Sequence, residues 1–178
     1  MGRITKKLFY QFVDKQALVL TRDGFINNGC WAIRRDVFDD VLSVSKIDYK
    51  AKEGSIRIID LVTQDFMFGQ GFLDGLLARV EKEICYYDNV KFKENGKYLI
   101  IEELNGYGIK KVYYNGIKKF IGRKAKAKIL QIDYVLYYKK DGQITKIKNE
   151  KFVWLCWIED NVDDLSKLLA ICPVQKIN

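Results

Sequence analysis

Lysine and arginine are concentrated in one part of this 178-residue chain. Between Lys110 and Lys151 there are thirteen basic residues and three acids, a net charge of +10, whereas the whole chain carries +8. The rest of the chain is therefore slightly acidic, with a net charge of −2. Ammonium groups gathered on one surface bind phosphates and release counterions from a nucleic acid. The segment predicts a surface for a nucleic acid or for an acidic partner protein; the alternative is a solvated lysine-rich surface that protects sheet edges.

Ten residues of this segment are the candidate binding residues. They are Lys110, Lys111, Lys118, Lys119, Arg123, Lys124, Lys126, Lys128, Lys139 and Lys140. The run from Arg123 to Lys128 predicts a loop or a strand entry whose side chains line up on phosphates. Tyrosines at positions 113, 114, 134, 137 and 138 are interleaved with the lysines. Stacking on unpaired bases is one interpretation, but packing is favoured because neighbours such as Tyr137 and Tyr138 point to opposite faces of a strand.

Catalytic chemistry has little support in the sequence. The chain has no histidine, which excludes Ser-His-Asp and Cys-His nucleophiles and an imidazole base. The pairs Asp39-Asp40 and Asp163-Asp164 suit the first turns of helices, and Glu102-Glu103 lies on a predicted strand with its side chains on opposite faces. The glycines from Gly69 to Gly75 lack the spacing of a phosphate-binding loop. We therefore predict no catalytic residue, no metal ligand and no cofactor; a metal-dependent nuclease built on Asp48-Tyr49-Lys50 is a third, weaker alternative.

The composition is typical of a globular protein of the cytoplasm. Apolar residues make up 48% of the chain and charged residues 30%. The longest apolar run, Phe152 to Ile158, is far shorter than the ~20 residues that span a bilayer, and the N-terminus has no apolar signal-peptide region. The four cysteines form no Cys-x-x-Cys pair, which favours reduced thiols over disulfides or a zinc site. We expect no membrane association.

Hydrophobic periodicity predicts an α+β fold built from antiparallel β-meanders. Lys128 to Glu159 is typical of three consecutive antiparallel strands, with a tight turn at Asp141-Gly142. The third of these strands, Phe152 to Ile158, is apolar without alternation, which predicts a central strand covered on both faces. Near the C-terminus, Asn161 can cap a short helix that runs through Leu165 to Leu169, and the alternative is a final strand from Leu168 to Val174.

One long helix and two or three short helices are expected beside these meanders. The long helix is predicted for Gly71 to Cys85, where apolar residues recur at helical spacing opposite charged ones. Asp36 to Val44 predicts a short helix with Asp36 as N-cap, and Ile56 to Val62 predicts a strand. The N-terminal half, residues 1–95, would contain the long helix, and residues 96–178 would form the basic meander, both within one compact domain.

Two stretches of the chain align with each other. Ile33 to Leu42 lies over Val112 to Ile121 at a constant offset of 79, with apolar residues coinciding at four places and Asp36 aligned with Asn115. Each stretch is predicted to follow a strand and to begin a short helix. The alignment indicates either a duplicated unit or a coincidence in a chain rich in Ile, Val and Tyr.

The strand, helix and meander unit resembles the repeat of DNA sliding clamps, and more specifically the small clamp-like proteins of phages that infect AT-rich hosts. The resemblance is carried by the turn, strand and short helix from Asn28-Gly29 to Phe38 and by the segment Cys172-Pro173-Val174, which is similar to the Met-Pro-aliphatic end of the last strand in those families. Asp39 and Asp40 depart from the basic helix that lines DNA in them. The resemblance implies a protein that binds DNA, and it is compatible with assembly into a homo-oligomer.

Charge and resemblance together predict a non-catalytic, phage-type accessory protein in the cytoplasm of a bacterial host. It would bind nucleic acid, or a nucleoprotein complex, through the basic segment. The alternative is a protein-binding inhibitor of a host defence system, similar to anti-CRISPR proteins, that uses the same segment against a nucleic-acid-handling protein.

Overall fold

The computed structural model describes residues 4–13, 17–63, 77–122, 125–159 and 165–177. The fold is α+β, as the sequence predicts. The helices of the described residues are α1 (Lys6–Phe12), α2 (Arg35–Ser45), α3 (Ile58–Thr63) and α4 (Lys111–Ile121), with a 3-10 turn at Leu165–Lys167. The strands are β1 (Leu18–Leu20), β2 (Phe25–Asn27), β3 (Ala32–Arg34), β4 (Ala51–Glu53), β5 (Leu77–Tyr87), β6 (Phe92–Asn95), β7 (Tyr98–Ile101), β8 (Tyr107–Lys110), β9 (Lys126–Lys140), β10 (Gln143–Ile158) and β11 (Leu168–Lys176).

One sheet runs through both halves of the chain. Its strand order is β4-β1-β2-β3-β11-β10-β9-β5, and the meander β6-β7-β8 joins it where β8 pairs with β11. Among the described strands, the pairing of β1 with β4 is parallel and the other pairs are antiparallel. Strands from residues 1–95 and from residues 96–178 are neighbours in this sheet, so the boundary at residue 95 does not divide it into two sheets.

The hairpin of β9 and β10 is the longest paired element. Positive φ angles of 52° at Asp141 and 78° at Gly142 form the two-residue turn that the sequence predicts. The prediction of separate second and third strands is wrong, because β10 continues from Gln143 to Ile158 with one register shift. A strand that extends past the apolar core accommodates polar side chains on its exposed faces, so the polar residues 149–151 do not end β10.

β10 is covered on both faces, as its unbroken apolar run predicts. Val153, Leu155 and Trp157 pack into a core with α1, α2 and α4, on what we call the helix face. Cys156 and Ile158 point the other way, into a second core that includes α3. Burial raises the pKa of the Cys156 thiol, as expected for an unreactive structural cysteine.

The long helix predicted for Gly71 to Cys85 is wrong where the structure describes it. Leu77 to Tyr87 forms β5, which pairs with β9; residues 71–76 lie outside the described residues. Residues four apart in the sequence lie on one face of a helix and equally on one face of a strand. The long ladder with β9 selects the strand.

α3 replaces the strand predicted for Ile56 to Val62. The carboxylate of Asp23 accepts hydrogen bonds from the backbone N–H of Ile58 at 2.9 Å and of Ile59 at 3.1 Å. These bonds satisfy donors at the start of the helix that have no partner within it. The capping residue lies 35 positions before Ile58, so the local sequence of α3, which carries Asp60 in its first turn, does not contain the residue that caps it.

A hairpin followed by a helix occurs twice. β2, β3 and α2 form the first unit, and β7, β8 and α4 form the second. The buried positions of the two helices keep the offset of 79: Phe38 matches Ile117, Val41 matches Phe120 and Leu42 matches Ile121. The expected capping role of Asp36 is wrong, because the N-cap residue of α2 is Arg34, which makes no side-chain cap hydrogen bond; the N-cap residue of α4 is Lys110.

The final strand, one of the two alternatives for Leu168 to Val174, is present as β11. On one edge β11 pairs with β10, and on the other it pairs first with β3 and then with β8. Pro173 lies where the partner changes, between Ile171, which pairs with β3, and Gln175, which pairs with β8. Because proline has no N–H to donate, the ladder is interrupted at that position without leaving a donor unsatisfied.

Candidate nucleic-acid interface

The candidate binding residues lie in three separate parts of the fold. Four of them (Lys110, Lys111, Lys118 and Lys119) flank or belong to α4, two (Lys126 and Lys128) begin β9, and two (Lys139 and Lys140) end it. Arg123 and Lys124 lie outside the described residues, as do the side chains of Lys139 and Lys140. An extended strand rises about 3.3 Å per residue, which places Lys126 and Lys139 roughly 43 Å apart. The two ends of β9 are therefore distinct surfaces.

Two of the candidate lysines are already paired with acids. Lys128 is 8% exposed, and its Nζ lies 2.5 Å from Oδ1 of Asp88. Lys111 Nζ lies 3.1 Å from Oε2 of Glu94. A neighbouring carboxylate cancels most of the field of an ammonium group, so these two lysines attract phosphate less than unpaired ones do.

Lys118 and Lys119 project into solvent from the last turn of α4. Their exposure follows from the period of the helix, because Ile117 and Phe120 are buried against the sheet and α2. Lys118 Nζ lies 5.8 Å from the ring centroid of Tyr114, a distance typical of a cation–π contact. A ligand that approaches the helix face from solvent can reach both ammonium groups.

α1 places two further lysines on the helix face. Lys6 and Lys7 are exposed on α1, and the ring of Phe12 at the end of α1 lies 5.4 Å from that of Phe120 in α4. Neither α1 nor α4 contains an aspartate or glutamate. We call Lys6, Lys7, Lys118 and Lys119 the α1–α4 basic surface. Sequence reasoning missed the contribution of α1, because Lys6 and Lys7 lie far from the basic segment along the chain.

α2, the counterpart of α4, is acidic on its exposed side. Arg34 Nε lies 2.6 Å from Asp36 Oδ1, and this hydrogen bond holds the pKa of the Asp36 carboxyl below its ordinary value. Asp39 accepts a hydrogen bond from the Tyr49 hydroxyl. Burial together with that bond raises the pKa of Tyr49 to about 12. These carboxylates serve as partners of Arg34 and Tyr49, a structural role rather than that of an acid and base pair.

The remaining carboxylate pairs do not converge on a site. Glu102-Glu103 lies in the turn after β7 rather than on a strand, and both residues are exposed; Asp163-Asp164 and Gly69 to Gly75 lie outside the described residues. Within the part of the chain that the structure describes, no three or more Cys, Asp or Glu side chains are arranged to hold a metal ion.

Most of the tyrosines serve packing. Tyr134 is 2% exposed, and the ring of Tyr114 lies 5.0 Å from that of Phe92 and 6.0 Å from that of Trp157. Tyr113 is half-buried beneath Lys110, whose Nζ lies 5.7 Å from its ring centroid. These positions agree with the packing interpretation and, among the described side chains, leave no row of exposed rings along the basic segment for stacked bases.

A cleft beside the helix face is not a phosphate site. It measures about 310 Å³ and lies between α2 and the end of α4, with Arg34, Asp36, Asp40 and Glu159 among its lining residues. Three acids against one arginine disfavour an anionic ligand. The α1–α4 basic surface is therefore the better candidate for contact with a nucleic acid.

No protein-family model, no curated protein and no solved structure matches this chain. Among the helices of the described residues, none has the length and apolar character needed to cross a bilayer.

Proposed function

We propose that this chain is a non-catalytic, phage-type accessory protein that binds nucleic acid, alone or in a nucleoprotein complex, in the cytoplasm of a bacterial host. The observation that supports the proposal is the α1–α4 basic surface: two neighbouring helices expose four lysines and contain no acid. Lysine contacts with phosphates position a protein on a duplex without reading its sequence. The proposed binding is therefore independent of base sequence and strongly dependent on salt.

The packing beneath the lysines fixes their positions. Phe12 stacks on Trp31, with ring centroids 4.4 Å apart and planes 11° apart, and Phe38 stacks on Phe120 at 4.7 Å. These rings join α1, α2 and α4 in one apolar layer over the sheet. Lysines on helices held in this way lose little backbone freedom when they bind phosphates.

The acids of α2 set the direction of binding. Asp36 and Asp40 are exposed on α2, next to α4. Phosphates are attracted by α1 and α4 and repelled by α2. A duplex would therefore lie along α1 and α4 and away from α2.

The test measures affinity for a fluorescein-labelled 20-base-pair duplex as a function of salt. The double variant Lys118→Glu/Lys119→Glu is compared with a matched control, Lys146→Glu/Lys151→Glu, which changes the net charge equally at two exposed lysines of β10. Each lost phosphate contact reduces the slope of log K against log salt by about 0.9. We expect the slope to fall by about 2 for the α4 variant and to stay unchanged for the control.

Two outcomes would reject the proposal. One is the absence of binding at low salt, and the other is an equal loss of affinity in both variants, which would indicate attraction by net charge alone. A host protein that is recovered with the tagged chain after nuclease treatment, in the absence of duplex binding, would instead support the inhibitor interpretation.

A further inference from the structure

β10 is much longer than its neighbour β11. The two strands pair only from Val153 to Ile158 of β10, whereas β10 begins at Gln143. The pairing of β10 with β11 ends at Val153 and Val174, although β11 itself continues to Lys176. On that side, residues 143–152 of β10 have no neighbouring strand among the described residues.

This open edge is long enough to receive another strand. The open edge has ten residues and measures about 33 Å, whereas an average strand has only five or six residues. Along an open edge, alternate residues direct their backbone N–H and C=O groups outward, where they form a template for an added strand. The position that β11 vacates is in the plane of the sheet, so an added strand would continue the pairing of β11 with β10.

The charge of the open edge selects its partner. Residues 143–152 contain Lys146, Lys148 and Lys151 against one acid, Glu150. A second copy of this edge would bring lysines opposite lysines, and like charges directly opposite each other destabilise a strand pair. An acidic strand would gain attraction at the same positions.

A small cavity lies where β11 leaves β10. It measures about 70 Å³ and is lined mostly by apolar side chains, among them Ile58, Ile171, Pro173 and Trp154. Trp154 pairs with Pro173 across the strands, next to the start of the open edge. The Trp154 indole N–H is buried and has no acceptor among the described residues. The cavity therefore has room for a short aliphatic side chain and a donor for one polar group.

We propose that the open edge of β10 binds an extended, acidic segment of a partner protein as an added β-strand. Backbone hydrogen bonds to residues 143–152 supply the affinity, Lys146 and Lys151 select acidic side chains, and the cavity at Trp154 accepts one aliphatic side chain. This surface is separate from α1 and α4, so it does not depend on the proposed binding of nucleic acid.

The test uses the whole chain and a synthetic peptide. The probe is the fluorescein-labelled peptide Glu-Val-Glu-Ile-Asp-Val-Glu, followed by fluorescence anisotropy and by hydrogen exchange of β10. We expect saturable binding with slower amide exchange in residues 143–152. The variant Lys146→Glu/Lys151→Glu should weaken binding at least about tenfold, because two attractive pairs become repulsive. The variant Lys118→Glu/Lys119→Glu on α4 should leave peptide binding unchanged.

Control peptides separate strand addition from simple charge attraction. Replacing both valines of the peptide by proline removes two backbone donors and leaves all its acids in place, and replacing its acids by lysine reverses its charge; both changes should abolish binding. The proposal is overturned if the acidic peptide does not bind, if the proline peptide binds equally well, or if exchange in residues 143–152 is not slowed. A dimer of the chain that is lost in Lys146→Glu/Lys151→Glu would also overturn it, since the edge would then be occupied by a second copy.

Discussion

The ring of Phe12 lies directly over the backbone of Gly116. A Cβ atom at position 116 would come within 2.2 Å of Cδ2 of Phe12, so this approach of α1 to α4 requires glycine. At the offset of 79 the equivalent residue of α2 is Val37, which lines the acidic cleft. One glycine therefore distinguishes the second helix of the pair from the first and lets α1 place its lysines beside α4.

Replacing Gly116 by alanine should destabilise the protein, although alanine favours helix by about 1 kcal/mol over glycine. The methyl group must displace the Phe12 ring, and forcing extra volume into a packed core typically costs about 1 to 3 kcal/mol. Urea denaturation should therefore show a lower midpoint for Gly116→Ala. Asn115→Ala, an exposed position in the same helix, is the matched control and should be neutral or slightly stabilising. An unchanged urea midpoint in both variants would show that α1 moves away from α4 without a loss of stability.

Asp23→Ala should destabilise α3 from a distance. The substitution removes the acceptor of the Ile58 and Ile59 N–H groups and of the Thr21 hydroxyl. Loss of an N-cap acceptor costs about 0.5 to 2 kcal/mol. The free energy of unfolding, measured in urea, should fall by that amount, whereas Arg22→Ala at the exposed neighbouring position should change it little. Equal effects of the two substitutions would contradict the capping role of Asp23.

The sequence predicts the parts of the fold that depend on neighbouring residues, and it does not predict those that depend on contacts between distant residues. The turn at Asp141-Gly142, the doubly covered strand ending at Ile158 and the short helix after Ile33 follow from local patterns, because turn chemistry and hydrophobic period act over a few residues. The start of α3 depends on Asp23, and β5 depends on its ladder with β9. Both are long-range contacts, and the local pattern of residues 77–85 satisfies a helix as well as a strand.

The candidate interface was predictable only in part. The excess of positive charge after Lys110 is visible in the sequence, but its division between α4 and the two ends of β9 depends on the length of β9. Neutralisation of Lys128 by Asp88 and the approach of α1 to α4 are contacts between distant parts of the chain. No local pattern indicates either contact.

Tyr49 should make the stability of the protein depend on alkaline pH. Its pKa is raised from 10.0 to about 12, chiefly by burial and then by Asp39, so the folded state holds this proton more tightly than the unfolded state does. The resulting stabilisation is complete below pH 10 and is lost as the pH rises towards 12. We expect the free energy of unfolding to fall over this range, and to fall less steeply in Tyr49→Phe. Part of the fall should remain, because burial also raises the pKa of Tyr114.

The control for this titration is Tyr10→Phe, since Tyr10 is 66% exposed. Identical pH profiles for Tyr49→Phe and the unmodified protein would contradict the raised pKa of Tyr49 in the folded protein.

Lys128 and Lys119 should behave differently although both belong to the basic segment. Lys128 is buried and paired with Asp88, whereas Lys119 is exposed on α4. Lys119→Met should reduce the salt slope of duplex binding by about 1, the value expected for one phosphate contact. Lys128→Met should leave the slope unchanged, and its effect on stability should be small, because the Asp88 side chain is 58% exposed and stays hydrated when its partner is removed. A loss of slope in Lys128→Met equal to that in Lys119→Met would mean that Lys128 leaves Asp88 to contact phosphate, and that the start of β9 belongs to the interface with α4.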